Sequence, residues 1–255
     1  MKNMKIQTFS IVVGGNKCNA CCPYCVSKMT GKVESCEKLE EINIRNLHKA
    51  CQFAELSGVS TVLLTGKGEP LLYPKHIAKY LKVLSEYNFP FIELQTNGIE
   101  LPNIQPYLKG WYNLGLTTIS LSCVHWATPK NKEIFGSQYG KPYQDVKYTL
   151  IDYIGLLHHY NFSVRISCVM LKYYIDNLKD IIHFINICKE NNVEQFTIRP
   201  VANYDDGENE QIYDWVEKNK PTDEELDEIS TYFDSDIDSS LLLELAHGAK
   251  VNEQR

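Results

Sequence analysis

Residues 7–25 read QTFSIVVGGNKCNACCPYC and join an apolar run to a cluster of cysteines. The first part is rich in β-branched residues and predicts a β-strand, and the glycines that follow it predict a turn. Four of the nine cysteines of the chain then lie within eight positions, at Cys18, Cys21, Cys22 and Cys25. A thiol-rich loop after a strand predicts metal-binding or redox chemistry at the carboxyl end of that strand.

The same kind of apolar run recurs along the chain and alternates with stretches of helical period. The predicted strands are 7–13, 60–65, 91–96, 117–122, 163–169 and 195–200. The predicted helices between them lie near 39–56, 74–86, 104–111, 143–160 and 178–190. Parallel neighbours need a crossover helix, so this alternation predicts an α/β fold with a parallel sheet.

The number of strands limits the architecture. Six units are too few for a closed eight-stranded barrel, which leaves an open curved sheet or a doubly wound sheet. In either case the functional groups are expected at the carboxyl ends of the strands. The segment after Val201 contains an acidic loop at 205–210 and a predicted acidic helix near 223–233. We therefore expect a core domain over 1–201 and a covering or tail segment over 202–255.

Composition narrows the class of protein. The 26 Lys and Arg against 32 Asp and Glu give a net charge of -6, without a long basic block, so nucleic acid is an unlikely partner. The apolar run at 9–13 is too short for a signal peptide or a membrane span, which predicts a cytoplasmic protein without a membrane. An odd number of cysteines in a reducing compartment argues against complete disulfide pairing. Cysteines inside apolar runs are predicted to be buried hydrophobes, at Cys51, Cys123, Cys168 and Cys188.

The cysteine loop admits three kinds of site. Three thiolates suit a four-iron cluster in which one iron keeps an open position. Zinc is an alternative, although a structural zinc site usually takes four ligands in two pairs, and no second pair follows in this sequence. A thiol redox pair of Cys22 and Cys25 is a further alternative, and it leaves Cys18 without a role. The sequence assigns no role to Cys36.

The spacing C18-N-A-C-C22-P-Y-C25 resembles the C-x3-C-x2-C signature of the radical S-adenosylmethionine (SAM) superfamily, in which an aromatic residue usually precedes the last cysteine. The resemblance implies that Cys18, Cys22 and Cys25 ligate a 4Fe-4S cluster and that Cys21 is an extra thiol. A C-x2-C pairing of Cys18 with Cys21 stays open. The fold implied is a partial (βα)6 TIM-type barrel of parallel strands with outer helices.

A second motif, T65-G-K-G-E-P70, follows the second predicted strand and resembles the GGE turn of the same superfamily. Glycines let the backbone approach a ligand closely, and a carboxylate accepts hydrogen bonds from an amino group. By resemblance, the methionine end of SAM would be held by Gly66, Lys67, Gly68 and Glu69. Lys67 departs from a plain glycine run, so its contact is expected to be through the main chain.

Polar residues at the ends of the later strands complete the predicted site. The resemblance, closest to the branch with the molybdenum-cofactor and peptide-modifying enzymes, places four residues near SAM: Thr96, Ser122, Arg165 and Ser167. It places Arg199 near the adenosine or the substrate. Strand-end caps and ordinary ion pairs explain any single one of these residues equally well. Aromatic residues after the fourth strand either pack or face the substrate, namely His125, Trp126, Tyr139 and Tyr143.

The resemblance implies an enzyme that reductively cleaves SAM at a 4Fe-4S cluster to a 5'-deoxyadenosyl radical, which abstracts hydrogen from a substrate. The substrate class stays open between a peptide, a cofactor precursor and a small molecule. An electron donor such as flavodoxin or ferredoxin is expected. No cysteine follows Cys188, so the chain is expected either to use one cluster or to be part of a longer protein. The alternative function is a metal-stabilised nucleotide- or peptide-binding protein with a structural cysteine site.

Overall fold

The computed structural model describes residues 6–29, 37–136, 148–203, 209–235, 239–244 and 250–254, the last two ranges by their backbone alone. Cys36, Tyr139, Tyr143 and most of the acidic loop at 205–210 lie outside these residues. A six-stranded parallel sheet with the order β1-β2-β3-β4-β5-β6 forms the centre of the fold. Its strands are β1 Thr8–Val12, β2 Thr61–Thr65, β3 Phe91–Thr96, β4 Thr118–Cys123, β5 Ser163–Met170 and β6 Gln195–Pro200.

Helices connect the strands. They are α1 Val26–Met29, α2 Ile44–Leu56, α3 Pro74–Leu84, α4 Leu101–Asn113, α5 Thr128–Phe135, α6 Leu150–His159, α7 Leu178–Glu190, α8 Glu210–Asn219 and α9 Asp223–Ser235. The helix predicted near 39–56 is divided into a 3-10 turn, Leu39–Glu41, and α2, which begins after the side-chain cap of Asn43. The described part of the helix predicted near 143–160 begins at Leu150. Helices α1, α5 and α8 were not predicted.

The strand order decides between the two architectures that the sequence left open. A doubly wound sheet reverses its strand order at a switch point, whereas this sheet runs in chain order from β1 to β6. The prediction of an open partial barrel, a (βα)6 TIM-type arrangement with parallel strands, is therefore confirmed.

The two faces of the sheet differ in chemistry. One face is apolar and buried, as shown by Leu64, Leu94, Ile119 and Ile166, which belong to the main hydrophobic core. Residues that alternate with these along the strands are mostly polar. They include Gln95, Ser120, Ser122, Arg165, Ser167, Thr197 and Arg199. A polar inner face is typical of a barrel that binds a ligand, because buried polar groups need partners.

A second, smaller core lies against the cysteine loop. It contains Met29, Val124, Leu171, Val201 and Val216, with Cys18, Cys22, Tyr24 and Trp215 packed at its edge. Helix α8 therefore covers part of the loop: the Tyr24 and Trp215 rings have centroids 6.0 Å apart. The backbone N–H of Lys172, just after β5, donates to the carbonyl of Asn219 at the end of α8.

The remaining described C-terminal elements add no strand to the parallel sheet. Helix α9 joins the main core through Ile229, with Leu226 and Phe233 beside it. An antiparallel hairpin of β7 Ser239–Glu244 and β8 Lys250–Gln254 was not predicted.

The buried environment predicted for Cys51, Cys123, Cys168 and Cys188 is confirmed. Within the described ranges, every helix is too short or too polar to span a bilayer.

Candidate active site

The cysteine loop begins where β1 ends. The N–H of Val13 donates to the Thr65 carbonyl and extends the pairing with β2 by one residue. Gly14 then adopts a φ of +67°, and a Cβ atom there would lie 2.2 Å from Cδ2 of Tyr73. Both the left-handed backbone and the packing against this ring require glycine. The turn directs the following residues over the carboxyl end of the sheet.

The turn at 66–69 docks directly onto the cysteine loop. The Glu69 N–H donates to the Lys17 carbonyl at 2.9 Å. A Cβ atom at Gly68 would lie 2.0 Å from this same carbonyl oxygen. Gly68 thus allows two loops to meet, a structural requirement that is separate from its predicted contact with SAM.

The predicted ligands Cys18, Cys22 and Cys25 lie together and are each partly buried. The pKa of Cys18 is raised to about 11, mainly by burial and in smaller part by the nearby charges of Glu69 and Cys25. Burial also raises the pKa of Cys22 to about 12, with further contributions from Cys25 and Cys18. The three thiols therefore influence one another electrostatically.

Cys21 has a different environment. Its Sγ accepts a hydrogen bond from Lys28 Nζ at 3.4 Å. Its backbone N–H donates to the carbonyl of Phe135 at the end of α5. The charge of Lys28 also acts on Cys18 and Cys22, so the backbone bond to α5 is what distinguishes Cys21 from them. This placement agrees with an extra thiol at Cys21, which stays a prediction.

The donor set fits a cuboidal iron–sulfur cluster. Among the described residues, no group of three or more His, Cys, Asp or Glu side chains converges on one metal ion. A cubane has another requirement, because each thiolate binds its own iron. Three soft thiolate donors suit such a cluster, and two of them, Cys18 and Cys22, pack against the apolar cluster that contains Met29. A thiol redox pair of Cys22 and Cys25 stays an alternative, and it leaves Cys18, whose charge acts on Cys22, without a role.

Glu69 is a buried carboxylate fixed by three hydrogen bonds. Oε1 accepts from the Leu71 N–H at 2.9 Å and from the Thr96 hydroxyl at 2.6 Å. Oε2 accepts from the Asn97 N–H at 2.9 Å. Burial raises the pKa of Glu69 to about 7, although these hydrogen bonds oppose the shift. Thr96, which the sequence placed near SAM, contacts Glu69 and thus acts on the site through this carboxylate.

Asn97 connects the turn to the cysteine loop and was not singled out from the sequence. While its backbone holds Glu69, its Nδ2 lies 2.9 Å from Asn19 Oδ1 and 3.9 Å from Cys18 Sγ. Its Oδ1 accepts from the Ile99 N–H at 3.0 Å. The sequence signal that could have revealed Asn97 is an asparagine-glycine pair directly after a buried strand. The structure shows Gly98 at a φ of +77°.

The other predicted residues lie at different levels of the polar face. Arg165 lies near the start of β5 and forms an ion pair with Glu93 at 2.6 Å, while its Nε donates to Ser120 at 3.2 Å. Ser122 and Ser167 are register partners closer to the carboxyl ends. Arg199 is exposed near the end of β6. The contacts of these residues with SAM stay predictions.

The alternative of a substrate-facing role for His125 and Trp126 is not supported by their packing. The Trp126 ring lies 4.7 Å from His183 and 5.9 Å from Phe184, both on α7. His125 stacks on Trp126 at 4.0 Å, and its Nδ1 accepts from the Ala127 N–H. These two residues join the loop after β4 to α7.

Comparison with solved structures shows which proteins have a fold similar to that of this chain. No family model and no curated protein matches the chain. The structure of anSMEcpe with bound AdoMet matches with a TM-score of 0.58 and 14% identity, over 91% of this chain and 62% of that chain. A radical SAM methyltransferase from Sphaerobacter thermophilus matches with a TM-score of 0.58 and 12% identity, over 87% and 62%. The chain has the fold of radical SAM enzymes.

Methylornithine synthase (PylB) shares the radical SAM fold of this chain with a TM-score of 0.56 and 11% identity, over 80% of this chain and 56% of that chain. The chain thus spans about three fifths of the length of these solved proteins, with covered shares of 62%, 56% and 62%. The similarity concerns the fold. The chemistry of the site is argued from the residues of this chain.

Proposed function

We propose that the protein is a radical SAM enzyme with a 4Fe-4S cluster held by Cys18, Cys22 and Cys25. One observation carries the proposal. Asn97 binds Glu69 through its backbone and reaches Asn19 and Cys18 through its side chain. The cysteine loop and the glycine-containing turn therefore form one site at the carboxyl ends of the parallel strands, on the fold that radical SAM enzymes use.

Glu69 is oriented to receive an amino group. Its Oε1 already accepts two hydrogen bonds and its Oε2 accepts one. A carboxylate offers about four acceptor positions, so Oε2 keeps one for the ammonium group of SAM. The positive charge of that group would lower the pKa of Glu69 and hold the carboxylate ionised.

The polar face of the sheet provides the remaining contacts. Ser122 and Ser167 offer hydroxyl groups to the methionine part of SAM, and Arg199 offers a guanidinium to the adenosine or the substrate. Arg165 supports this surface from below through Glu93 and Ser120. The helix α8 covers the cysteine loop on its apolar side and excludes water from it.

The cofactors determine the reaction class. A 4Fe-4S cluster held by Cys18, Cys22 and Cys25 would supply the electron for reductive cleavage of SAM, and the 5'-deoxyadenosyl radical chemistry that follows would remove hydrogen from a substrate. A reduced flavodoxin or ferredoxin is the proposed source of this electron. The chain contributes the orientation of SAM and the low-dielectric surroundings of the thiols.

The test is anaerobic reconstitution with iron and sulfide, followed by reduction with dithionite in the presence of SAM. We expect a brown protein that forms 5'-deoxyadenosine, detected by mass spectrometry. Cys18→Ala, Cys22→Ala and Cys25→Ala should each lose the iron and the product, because each removes one iron ligand. Cys21→Ala is the matched control and should keep both.

Two results would contradict the proposal. A folded, colourless protein that retains zinc after the same treatment would favour the metal-stabilised binding protein. Loss of the cluster in Cys21→Ala, with retention in Cys18→Ala, would show that the ligand set is wrong.

A further inference from the structure

A pocket lies beside the cysteine loop and shares Ser122 with the residues proposed to contact SAM. It is formed at the carboxyl ends of β3 and β4 together with α5 and α6, and it is partly open to solvent. Its walls include Asn97, Ser122, Thr128, Phe135, Tyr148 and Tyr153. Because Asn97 also approaches Cys18 Sγ at 3.9 Å, a single side chain separates this pocket from the predicted cluster site.

One residue of the pocket wall, Tyr153, has a buried hydroxyl group. Tyr153 is 7% exposed. Its hydroxyl forms no hydrogen bond within the described part of the chain. An unpaired buried hydroxyl is costly, so its presence in a pocket wall points to a ligand that supplies the missing bond. Burial raises the pKa of Tyr153 to about 12, so the phenol stays protonated at neutral pH.

The walls define the chemistry of that ligand. The rings of Tyr148 and Tyr153 are stacked with centroids 5.9 Å apart, and they form a flat aromatic surface. Phe135, Leu121 and Leu150 add apolar surface. The described lining residues are all uncharged, and the charges that act on the Tyr153 hydroxyl from outside the lining are the carboxylates of Asp152 and Glu100. A charged group entering the pocket, an anion above all, would lose its hydration without gaining a counter-ion in the lining.

We infer that this pocket is a substrate subsite for an uncharged hydrogen-bonding group on an apolar or aromatic body, with Tyr153 as the residue that determines specificity. The inference rests on the proposed function in one respect: a group held here is next to the cluster site. The hydroxyl of Tyr153 binds the polar group, the stacked rings contact the body, and charged analogues are rejected.

The test measures binding to the cluster-free protein, as the 255-residue chain, by saturation-transfer NMR and calorimetry. The probes are benzamide, benzoate and benzylamine, which have the same ring and are neutral, anionic and cationic at neutral pH. Benzamide is expected to bind, and the two charged probes are expected to bind at least about tenfold more weakly because they would be desolvated without a partner. Tyr153→Phe should weaken benzamide binding by roughly three- to tenfold.

A matched control and a second measurement make the role of Tyr153 distinguishable from a structural one. Tyr107 lies on α4 beside Trp111, outside the pocket, so Tyr107→Phe should leave benzamide binding unchanged. Tyr153→Phe should also raise the melting temperature of the ligand-free protein by about 2–4 °C, because it removes an unpaired buried hydroxyl. If Tyr153 had only a structural role, the same substitution would lower the melting temperature.

Several outcomes would overturn the inference. These are equal binding of the three probes, absence of benzamide binding, and unchanged benzamide binding by Tyr153→Phe. A lower melting temperature of Tyr153→Phe without benzamide binding would show that a water molecule alone supplies the missing hydrogen bond of the hydroxyl. SAM cleavage with no benzamide binding would reject this pocket and keep the proposed function. Benzamide binding without a cluster in reconstituted protein would reject the proposed function and leave a binding pocket.

Discussion

Glu69 makes the stability of the cluster-free protein depend on pH. Its pKa rises from 4.5 to about 7 on folding, mainly through burial. Between these values the folded protein holds a proton that the unfolded chain has lost. The proton on Glu69 therefore stabilises the folded protein fully below about pH 4.5, and this stabilisation is lost as pH rises to about 7. The loss amounts to about 3 kcal/mol at 1.36 kcal/mol per pKa unit.

Chemical denaturation of the cluster-free protein between pH 5 and 8 measures this effect. Glu69→Gln cannot titrate, so the difference in the free energy of unfolding between the wild type and this variant should change with pH up to about 7 and then level off. Thr96→Val removes one hydrogen bond to the carboxylate and should move the change to higher pH. A difference that is constant from pH 5 to 8 would show that Glu69 is ionised throughout.

Residue types at the site were predictable, whereas their partners were not. The thiol spacing and the carboxylate after β2 are local patterns that a sequence displays directly. Gly68 meets the carbonyl of Lys17, and Asn97 meets Asn19, across segments that are far apart in the chain. Such contacts depend on how the loops pack above the sheet. The glycine in the turn therefore suggested a ligand contact although its closest neighbour is another loop.

Among the elements, strongly apolar ones were predicted well and weakly apolar ones were not. The predicted bounds of β3, β6 and α7 match the structure. Only Ile212 and Val216 of α8 are buried, so this helix depends on its contact with the cysteine loop more than on its own sequence. Helix α5 is similarly short and polar, with the sequence TPKNKEIF. Tertiary packing thus determines the elements that the periodicity did not reveal.

Helix α8 is expected to protect the cluster. Trp215 contacts Tyr24 in the cysteine loop, whereas Tyr213 on the same helix is 50% exposed. Trp215→Ala would open the apolar cover and admit water and oxygen, so the brown colour of the reconstituted protein should bleach several-fold faster in air. Tyr213→Ala is the matched control and should bleach at the rate of the wild type. Equal rates for all three proteins would mean that α8 does not shield the site.

At the scale of the whole molecule, a sheet wound in a single direction separates stability from function. Helices cover its apolar face and form the main core, while the polar face and the carboxyl ends remain for ligands. The cysteine loop joins these two parts: it continues β1, receives the turn at 66–69 and contacts α8. A ligand that fixes this loop therefore acts on several elements at once.

Binding of the cluster should consequently stabilise the entire fold. The thiols converge only in the folded chain, and a group that binds the folded state alone raises its stability. We expect anaerobic reconstitution to raise the melting temperature by about 4–8 °C, which corresponds to about 2 kcal/mol for a chain of this size. Scanning calorimetry under nitrogen measures the change. Cys21→Ala should show the same increase and Cys18→Ala none; equal melting temperatures of the loaded and cluster-free wild type would show that the loop is held without the cluster.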